Sequence, residues 1–197
     1  MRKLVLGAAM LLFAQFGFGQ AVNESAIIPV SVTLNAVSRL NIESGGNIKF
    51  VFTSINDYNT GFTGETDPIY RTTVSVASSR NFSINMYSEA AEFLPTDNAA
   101  NSLPIENLEY SLNWTGSQVP NTYLGPIGIW TAMADAGTLI VDNTTNGDGG
   151  LAGDGDANRF EIYWRLGTTD NNEGTLLSQG NIAADHYVSN VFIELVN

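Results

Sequence analysis

The residues of this chain with the clearest potential for chemistry lie in a glycine-rich acidic stretch, NGDGGLAGDGDAN, at positions 146–158. Calcium binds about six to eight oxygens, taken from carboxylates, amide side chains and backbone carbonyls. The side chains that could supply them here are Asp142, Asn146, Asp148, Asp154 and Asp156. Their order fits neither an EF-hand loop nor a repeated GGxGxD nonapeptide. Two interpretations stay open, a weak extracellular calcium site and a flexible glycine-rich turn.

The other residue types used in catalysis are scarce. The chain has no cysteine and a single histidine, His186, which follows Asp185. Neighbours in a strand point to opposite faces, so these two cannot orient each other as a catalytic pair. A zinc site usually needs several His or Cys ligands, and no phosphate-binding glycine motif occurs. We therefore predict a non-enzymatic protein with no catalytic residues and no cofactor other than calcium. A hydrolase built on two of the 20 acidic residues is the remaining enzymatic alternative.

The first 19 residues have the pattern of a cleaved export signal. Met1, Arg2 and Lys3 give a positive start, an apolar stretch follows, and Gly17 and Gly19 precede a cleavage point before Gln20. We expect residues 1–19 to be removed and residues 20–197 to form one domain. No cysteine follows the cleavage point, so no acyl anchor is expected there. The last predicted strand ends beside Asn197, which leaves no room for a sorting domain and favours the periplasm over the cell surface.

The charge balance excludes several classes of partner. The formal net charge is −12, with 8 basic and 20 acidic residues. Nucleic acids and anionic membranes are gripped by basic patches, so neither is an expected partner. No segment after the signal is apolar and long enough for a membrane span. Without cysteine the core must be stabilised by packing alone, which about 180 residues can achieve.

Apolar residues alternate with polar ones along most of the chain, which predicts β-strands. The alternating runs are residues 28–34, 47–53, 72–78, 81–88, 108–114, 160–166 and 187–196. The pair 72–78 and 81–88, joined by the turn SSRN, has the pattern of a β-hairpin. SEAAEFL and WTAMADAG could each form a turn or two of helix, but neither carries a long apolar stripe. Many short strands predict an all-β fold, an antiparallel β-sandwich of the immunoglobulin-like or fimbrial Greek-key type.

Several of these stretches together suggest a family. TTVSVASSRNFSINMYS, LPIENLEYSLN, RFEIYWRLGT and NIAADHYVSNVFIELV resemble small exported β-sandwich proteins of the Bacteroidota, which in turn look like spore-coat-U-type and fimbrial subunits. In that family a small residue and a tyrosine introduce the closing strand, as Ala184 and Tyr187 do here. The cysteines common in coat-U subunits are missing, and ADH replaces the usual glycine before the closing tyrosine. The resemblance implies the fold more than the activity.

The aromatic residues give two further predictions. Trp114 and Trp164 are in phase with core positions, whereas Tyr163 and Trp130 are expected at the surface. The stretch PNTYLGPIGIW reads as a surface loop with apolar residues, which is typical of a partner interface. The residues predicted to form that interface are Tyr123, Leu124, Ile127, Ile129 and Trp130.

The function predicted is therefore structural, in one of two forms. One is a fibre or pilus-like subunit that associates with itself, and the other is a soluble accessory that docks on, or stoppers, an outer-membrane barrel or secretion channel. In the first form ESAIIPVSVTL could complete a neighbour's sheet, although it could equally be the chain's own first strand. A calcium-assisted carbohydrate-binding or adhesive module is the alternative, with Trp and Tyr rings as its platform.

Overall fold

A computed structural model describes residues 28–143 and 149–196. The chain divides into two units, Met1–Leu34 and Asn35–Asn197. Of the first unit only residues 28–34 are described, and none of them belongs to a helix or strand. Four apolar side chains of this segment are between 77% and 90% exposed: those of Ile28, Val30, Val32 and Leu34.

The second unit is an antiparallel β-sandwich, which confirms the predicted fold class. Its strands are β1 Ser38–Ser44, β2 Phe62–Thr63, β3 Arg71–Ser78, β4 Ser83–Ser88, β5 Leu94–Pro95, β6 Leu108–Trp114, β7 Thr131–Ala132, β8 Thr138–Val141, β9 Arg159–Leu166, β10 Tyr187–Val188 and β11 Val191–Val196. The larger sheet has the order β1-β3-β9-β6-β7, and β2 also pairs with β9. The smaller sheet has the order β11-β4-β8, and β10 pairs with β5.

The core lies between the two sheets and follows the alternation of the sequence. In β6 and β9 every second side chain points inward and is buried, from Leu108 to Trp114 and from Phe160 to Leu166. Phe82, which precedes β4, and Ile84 and Met86 of β4 pack against them in the same core. Trp114 and Trp164 are both buried, as predicted.

The predicted hairpin of residues 72–78 and 81–88 is wrong. Strand β3 pairs with β1 and β9, whereas β4 pairs with β11 and β8, so the two strands belong to different sheets. The connection is an arch in which Ser78 Oγ donates to the carbonyl of Arg80 at 2.6 Å. Phe82 exchanges backbone hydrogen bonds with Gly150, each of 2.9 Å. Alternation fits both a hairpin within one sheet and two strands in facing sheets, because in each case every second side chain points into the core.

Two other predicted strands are absent from the described residues. Residues 28–34 form no strand, and β1, which begins at Ser38, is the strand that pairs with β3. Residues 47–53 also form no strand, although Ile48, Phe50 and Phe52 pack against the core as their alternation suggested. The alternation at residues 47–53 therefore predicted the inward side chains correctly, but the backbone of this segment pairs with no described strand.

The helices lie elsewhere than the two stretches considered from the sequence. Helix α1 spans Ile55–Thr60 and helix α2 spans Leu176–Gln179, with single 3₁₀ turns at Pro68–Tyr70 and Ile105–Asn107. Ser54 caps α1 by accepting from the backbone N–H of Asp57 at 3.2 Å, and Asp57 accepts from the N–H of Ser54 at 2.8 Å. This reciprocal capping box was the overlooked sequence signal. Among the described helices, none has the length and apolar character that crossing a membrane requires.

Candidate functional site

A groove of about 670 Å³, lined by both apolar and polar residues, opens between the segment that follows β1 and the segment that leads into β11. One wall is formed by residues 45–52 and the other by residues 182–193. Core side chains reached through the groove are those of Leu108, Trp164, Leu166 and Leu176. The groove therefore gives access to the inner face of the larger sheet.

The wall of residues 45–52 turns away from β1 at Gly45. This glycine has a φ of 67°, and a Cβ there would overlap the carbonyl of Arg71. Its own carbonyl accepts from Thr72 Oγ1 at 2.7 Å. Beyond the turn Phe50 stacks on Tyr70, with ring centroids 4.8 Å apart. Because its aromatic side chains pack inward, the segment stays against the sandwich without joining a described sheet.

The opposite wall is fixed by the carboxylate of Asp185. It accepts from the backbone N–H groups of Thr96, Asp97 and Asn98 at 3.1, 2.9 and 3.0 Å, and from Nδ2 of Asn101 at 2.8 Å. Burial by itself would raise the pKa of Asp185, but these donors stabilise the charged form and lower the pKa to about 2. No local pattern indicates this role, since these donors lie more than 80 positions away from Asp185.

The groove lies where two strand edges have no strand partner among the described residues. Strand β11 pairs only with β4, and β1 pairs only with β3. Along β11 the half-buried residues Val191, Ile193 and Leu195 alternate with exposed ones, and Val191 and Ile193 line the groove. An unpaired edge presents backbone donors and acceptors that another extended segment can use. The arrangement is therefore suited to binding an extended chain with alternating apolar side chains.

The predicted calcium ligands are only partly described. Asn146 and Asp148 lie outside the described residues, and Asp142 follows β8. Asp154 Oδ1 accepts from the N–H of Ala157 at 2.8 Å, and Asp156 Oδ1 lies 2.7 Å from Nη2 of Arg159. Within residues 28–143 and 149–196 no three His, Cys, Asp or Glu side chains are grouped to hold a metal. Calcium binding stays a prediction.

The predicted interface residues separate into two groups. Ile127 and Ile129 are 53% and 60% exposed, and Leu124 is 39% exposed. Tyr123 is half-buried, with its ring centroid 5.9 Å from that of Trp114. Trp130 is also half-buried, because the guanidinium of Arg165 lies 4.4 Å from its ring centroid.

The predicted exposure of Tyr163 is wrong. The guanidinium of Arg71 lies 4.4 Å from its ring centroid, and its hydroxyl hydrogen-bonds to Glu161 at 3.1 Å and to Asn113 at 3.2 Å. Burial raises the pKa of Tyr163, and the negative charge of Glu161 raises it further. Long polar neighbours on the outer face of the larger sheet cover the ring, which alternation along one strand cannot reveal.

A buried ion pair on the same face was not expected. Glu109 of β6 is fully buried and accepts from Nε of Arg165 of β9. Its other oxygen accepts from the N–H of Asn172 at 3.0 Å, and Nη2 of Arg165 donates to the carbonyl of Asp170 at 2.6 Å. The pair connects residues 167–175 and the ring of Trp130 to the sheet.

No protein-family model matches this sequence, and no curated protein matches it.

Proposed function

We propose that this protein is a non-enzymatic, exported assembly protein whose copies join by strand addition. In this proposal the segment of residues 28–34 from one copy lies in the groove of another and pairs with the free edge of β11. The observation that carries the proposal is the coexistence of a groove beside an unpaired strand edge and an exposed segment with alternating apolar side chains.

The two parts are matched in length and pattern. Seven extended residues span about 23 Å at about 3.3 Å per residue, and β11 contains six residues. With Ile28, Val30, Val32 and Leu34 pointing inward, Ser31 and Thr33 point to solvent. Backbone hydrogen bonds to the edge supply affinity, and the apolar side chains supply specificity.

Burial of the four side chains offsets much of the cost of association but does not exceed it by itself. Each contributes roughly 1.5–3 kcal/mol when it is removed from water. Association itself costs roughly 4–15 kcal/mol in lost translational and rotational freedom. The backbone hydrogen bonds and the side chains are needed together, so removal of two side chains should be enough to abolish assembly.

The test compares the oligomeric state of the mature chain with that of the double variant Val30→Ser/Val32→Ser. We expect multimers for the wild type and monomers for the variant, measured by light scattering after size-exclusion chromatography. The matched control is Ser31→Ala/Thr33→Ala, which changes the opposite face and should leave assembly intact. Multimers that persist in the Val30→Ser/Val32→Ser variant would contradict the proposal.

A second measurement addresses the groove directly. A synthetic peptide of residues 26–35 should bind the monomeric variant and shift its tryptophan fluorescence, because Trp164 lines the groove. The same peptide with serine at positions 30 and 32 should not bind. If the chain is instead an accessory of an outer-membrane barrel or secretion channel, the wild type stays monomeric and its own peptide fails to bind.

One observation favours the alternative of a carbohydrate-binding or adhesive module, at residues other than those expected. Tyr87 and Phe192 stack on the outer face of the smaller sheet with ring centroids 5.2 Å apart, and Tyr87 donates to Glu194 at 2.7 Å. Aromatic rings beside hydrogen-bonding groups can stack on sugars. Retention on insoluble polysaccharide that Phe192→Ala abolishes would support this function. Equal elution of both proteins would exclude this surface.

A further inference from the structure

The described part of the glycine-rich segment, residues 149–158, is held against its neighbours by backbone hydrogen bonds. Ser78 and Gly153 exchange two of them, of 2.9 and 2.8 Å. The N–H of Gln118 donates to the carbonyl of Ala157 at 2.9 Å. The segment therefore lies between the end of β3 and the residues that follow β6.

Two buried amide oxygens beside this segment have no hydrogen-bond partner in the described part of the chain. They are Oδ1 of Asn158, a residue with no exposed surface, and Oε1 of Gln118. Nδ2 of Asn158 donates to the carbonyl of Leu151 at 2.9 Å. Because only a donor can face a carbonyl oxygen, Oδ1 is the atom of this amide that is left unpaired. A buried acceptor of this kind calls for a donor or a cation.

Both amides reach the same residue, Gly153. A Cβ at this position would overlap Oε1 of Gln118 and would lie 3.1 Å from Nδ2 of Asn158. The φ of Gly153 is not positive, so its backbone conformation does not require glycine. The missing side chain instead leaves room for the two amide groups.

A carboxylate belongs to the same turn. Asp154 follows Gly153, and its carbonyl accepts from the N–H of Asn158 at 3.2 Å. Its Oδ1 accepts from the N–H of Ala157 at 2.8 Å, which fixes the negative charge in the turn. A water molecule can satisfy two unpaired acceptors, but a neighbouring negative charge favours a cation in its place.

The basic residue that follows this turn does not supply that cation. Arg159 comes directly after Asn158, but its guanidinium lies 2.9 Å from Glu43 and 2.7 Å from Asp156. Its positive charge is therefore already balanced by two other carboxylates.

We propose that this turn binds a calcium ion, with Oε1 of Gln118 and Oδ1 of Asn158 among its ligands. Calcium takes about six to eight oxygens and accepts amide and backbone carbonyl oxygens as well as carboxylates. Neither Gln118 nor Asn158 is among the ligands predicted from the sequence. The ion joins the residues that follow β6 to the segment that precedes β9, and so stabilises the end of the sandwich where β3 leaves the larger sheet.

The inference is independent of strand addition. None of the residues of this turn lines the groove, and Gln118 does not line it either. The monomeric variant Val30→Ser/Val32→Ser should therefore bind calcium with the affinity of the wild type. Loss of assembly and loss of calcium binding are distinguished by this comparison.

The test titrates calcium chloride into the chelator-treated mature chain and follows the heat of binding. We expect one site with a dissociation constant of about 0.1–1 mM. The thermal midpoint should rise by roughly 3–6 °C at about 10 mM calcium. In nuclear magnetic resonance spectra the side-chain amide signals of Gln118 and Asn158 should move with the same midpoint. Absence of binding, or binding that leaves these two signals in place, overturns the proposal.

A pair of glycine variants tests the position of the ion. Gly153→Ala displaces the end of the Gln118 side chain and should weaken calcium binding at least about tenfold. The matched control is Gly155→Ala, in the same segment, whose Cβ would meet only Ser75 at an ordinary 3.4 Å. Its calcium affinity should equal that of the wild type. Unchanged binding by Gly153→Ala contradicts the proposal.

Gln118→Glu separates a calcium ion from a bound water and from a hydrogen bond between the two amides. A carboxylate ligand adds negative charge, so the variant should bind calcium roughly tenfold more tightly than the wild type. If the two oxygens share only a water, or if the amides bind each other, the new carboxylate faces an acceptor and the variant gains no affinity. Equal or weaker calcium binding by Gln118→Glu therefore overturns the proposal.

Discussion

Between β6 and β8, residues 123–126 connect the two sheets by hydrogen bonds, whereas beside β1 and β11 a groove opens at the edge of the sandwich. On the first side the N–H of Leu124 reaches the smaller sheet and the carbonyl of Gly125 reaches the larger one. On the second side residues 45–52 pack through aromatic rings without forming a ladder in the described sheets. We call the first the sealed side and the second the open side.

In the proposed assembly, this difference lets one sandwich combine a stable core with a surface for association. Edge strands tend to pair with other chains unless they are covered. On the sealed side the cover is part of the fold. On the open side β11 pairs only with β4 among the described strands, and Gly45 and Asp185 fix the groove walls.

The largest effect expected on stability comes from the buried ion pair on the outer face of the larger sheet, next to the sealed side. Glu109→Gln leaves the buried Arg165 without its counter-charge, and breaking a buried ion pair in this way costs about 3–5 kcal/mol. Urea unfolding followed by circular dichroism measures the loss. The control is Glu43→Gln, which breaks an ion pair with Arg159 that is partly exposed, and the free energy of unfolding should change little.

A comparison of one side chain from each side sharpens the contrast. Leu112→Ala empties a fully buried position beside the seal, which should lower the free energy of unfolding by about 2–5 kcal/mol. Ile193→Ala, in the half-buried wall of the groove, should lower it by roughly 1 kcal/mol. The main effect of Ile193→Ala should be weaker multimer formation, because the groove that receives residues 28–34 of another copy is altered while those residues are unchanged. Equal losses of stability would show that the open side is as well packed as the sealed one.

Two glycines with positive φ test the turns that contain them. Gly45→Ala places a Cβ in an unfavourable backbone conformation and against the carbonyl of Arg71, so the groove wall must move. Alanine at Gly128 meets only the conformational penalty of about 1–2 kcal/mol. We expect Gly45→Ala to lower the thermal midpoint by more than Gly128→Ala and to weaken binding of the peptide of residues 26–35. A lower midpoint for Gly128→Ala than for Gly45→Ala would argue against this explanation of the wall.

The smallest effect on stability is expected from acid. The pKa of Asp185 is lowered to about 2, below an unfolded value of about 3.9. The carboxylate therefore stabilises the fold fully above about pH 4, and this contribution is lost as the pH falls through about 2. Hydrogen exchange of the Thr96, Asp97 and Asn98 amides between pH 5 and pH 2, each corrected for its intrinsic rate, should show decreasing protection. In Asp185→Asn the protection should already be low at pH 5 and should change little with pH.

The alternation of the sequence predicts the strands better than their partners. Residues 108–114 and 160–166 are strands with the expected inward faces, and Trp114 and Trp164 are buried. The same alternation at residues 72–88 was compatible with a hairpin, yet β3 and β4 lie in opposite sheets. Which strands pair depends on contacts between distant residues, such as Phe82 with Gly150, that a local pattern does not contain.

The candidate site was predictable only in part. The run of apolar residues at 28–34 and the exposed isoleucines 127 and 129 are visible in the sequence. The groove is not, because its walls come from segments at least 130 positions apart. The ion pair of Glu109 and Arg165 and the role of Asp185 depend on long-range contacts in the same way.

The sequence by itself determined the acidic charge, the absence of disulfides, the alternating strands and the sandwich class, because composition and period-two alternation act locally. Only the tertiary structure decided which strands pair, which edge is sealed and which polar groups become buried. The physical reason is that edge pairing and burial of charge are settled by residues far apart in the chain. The groove beside β11 is therefore a feature that only the tertiary structure decided.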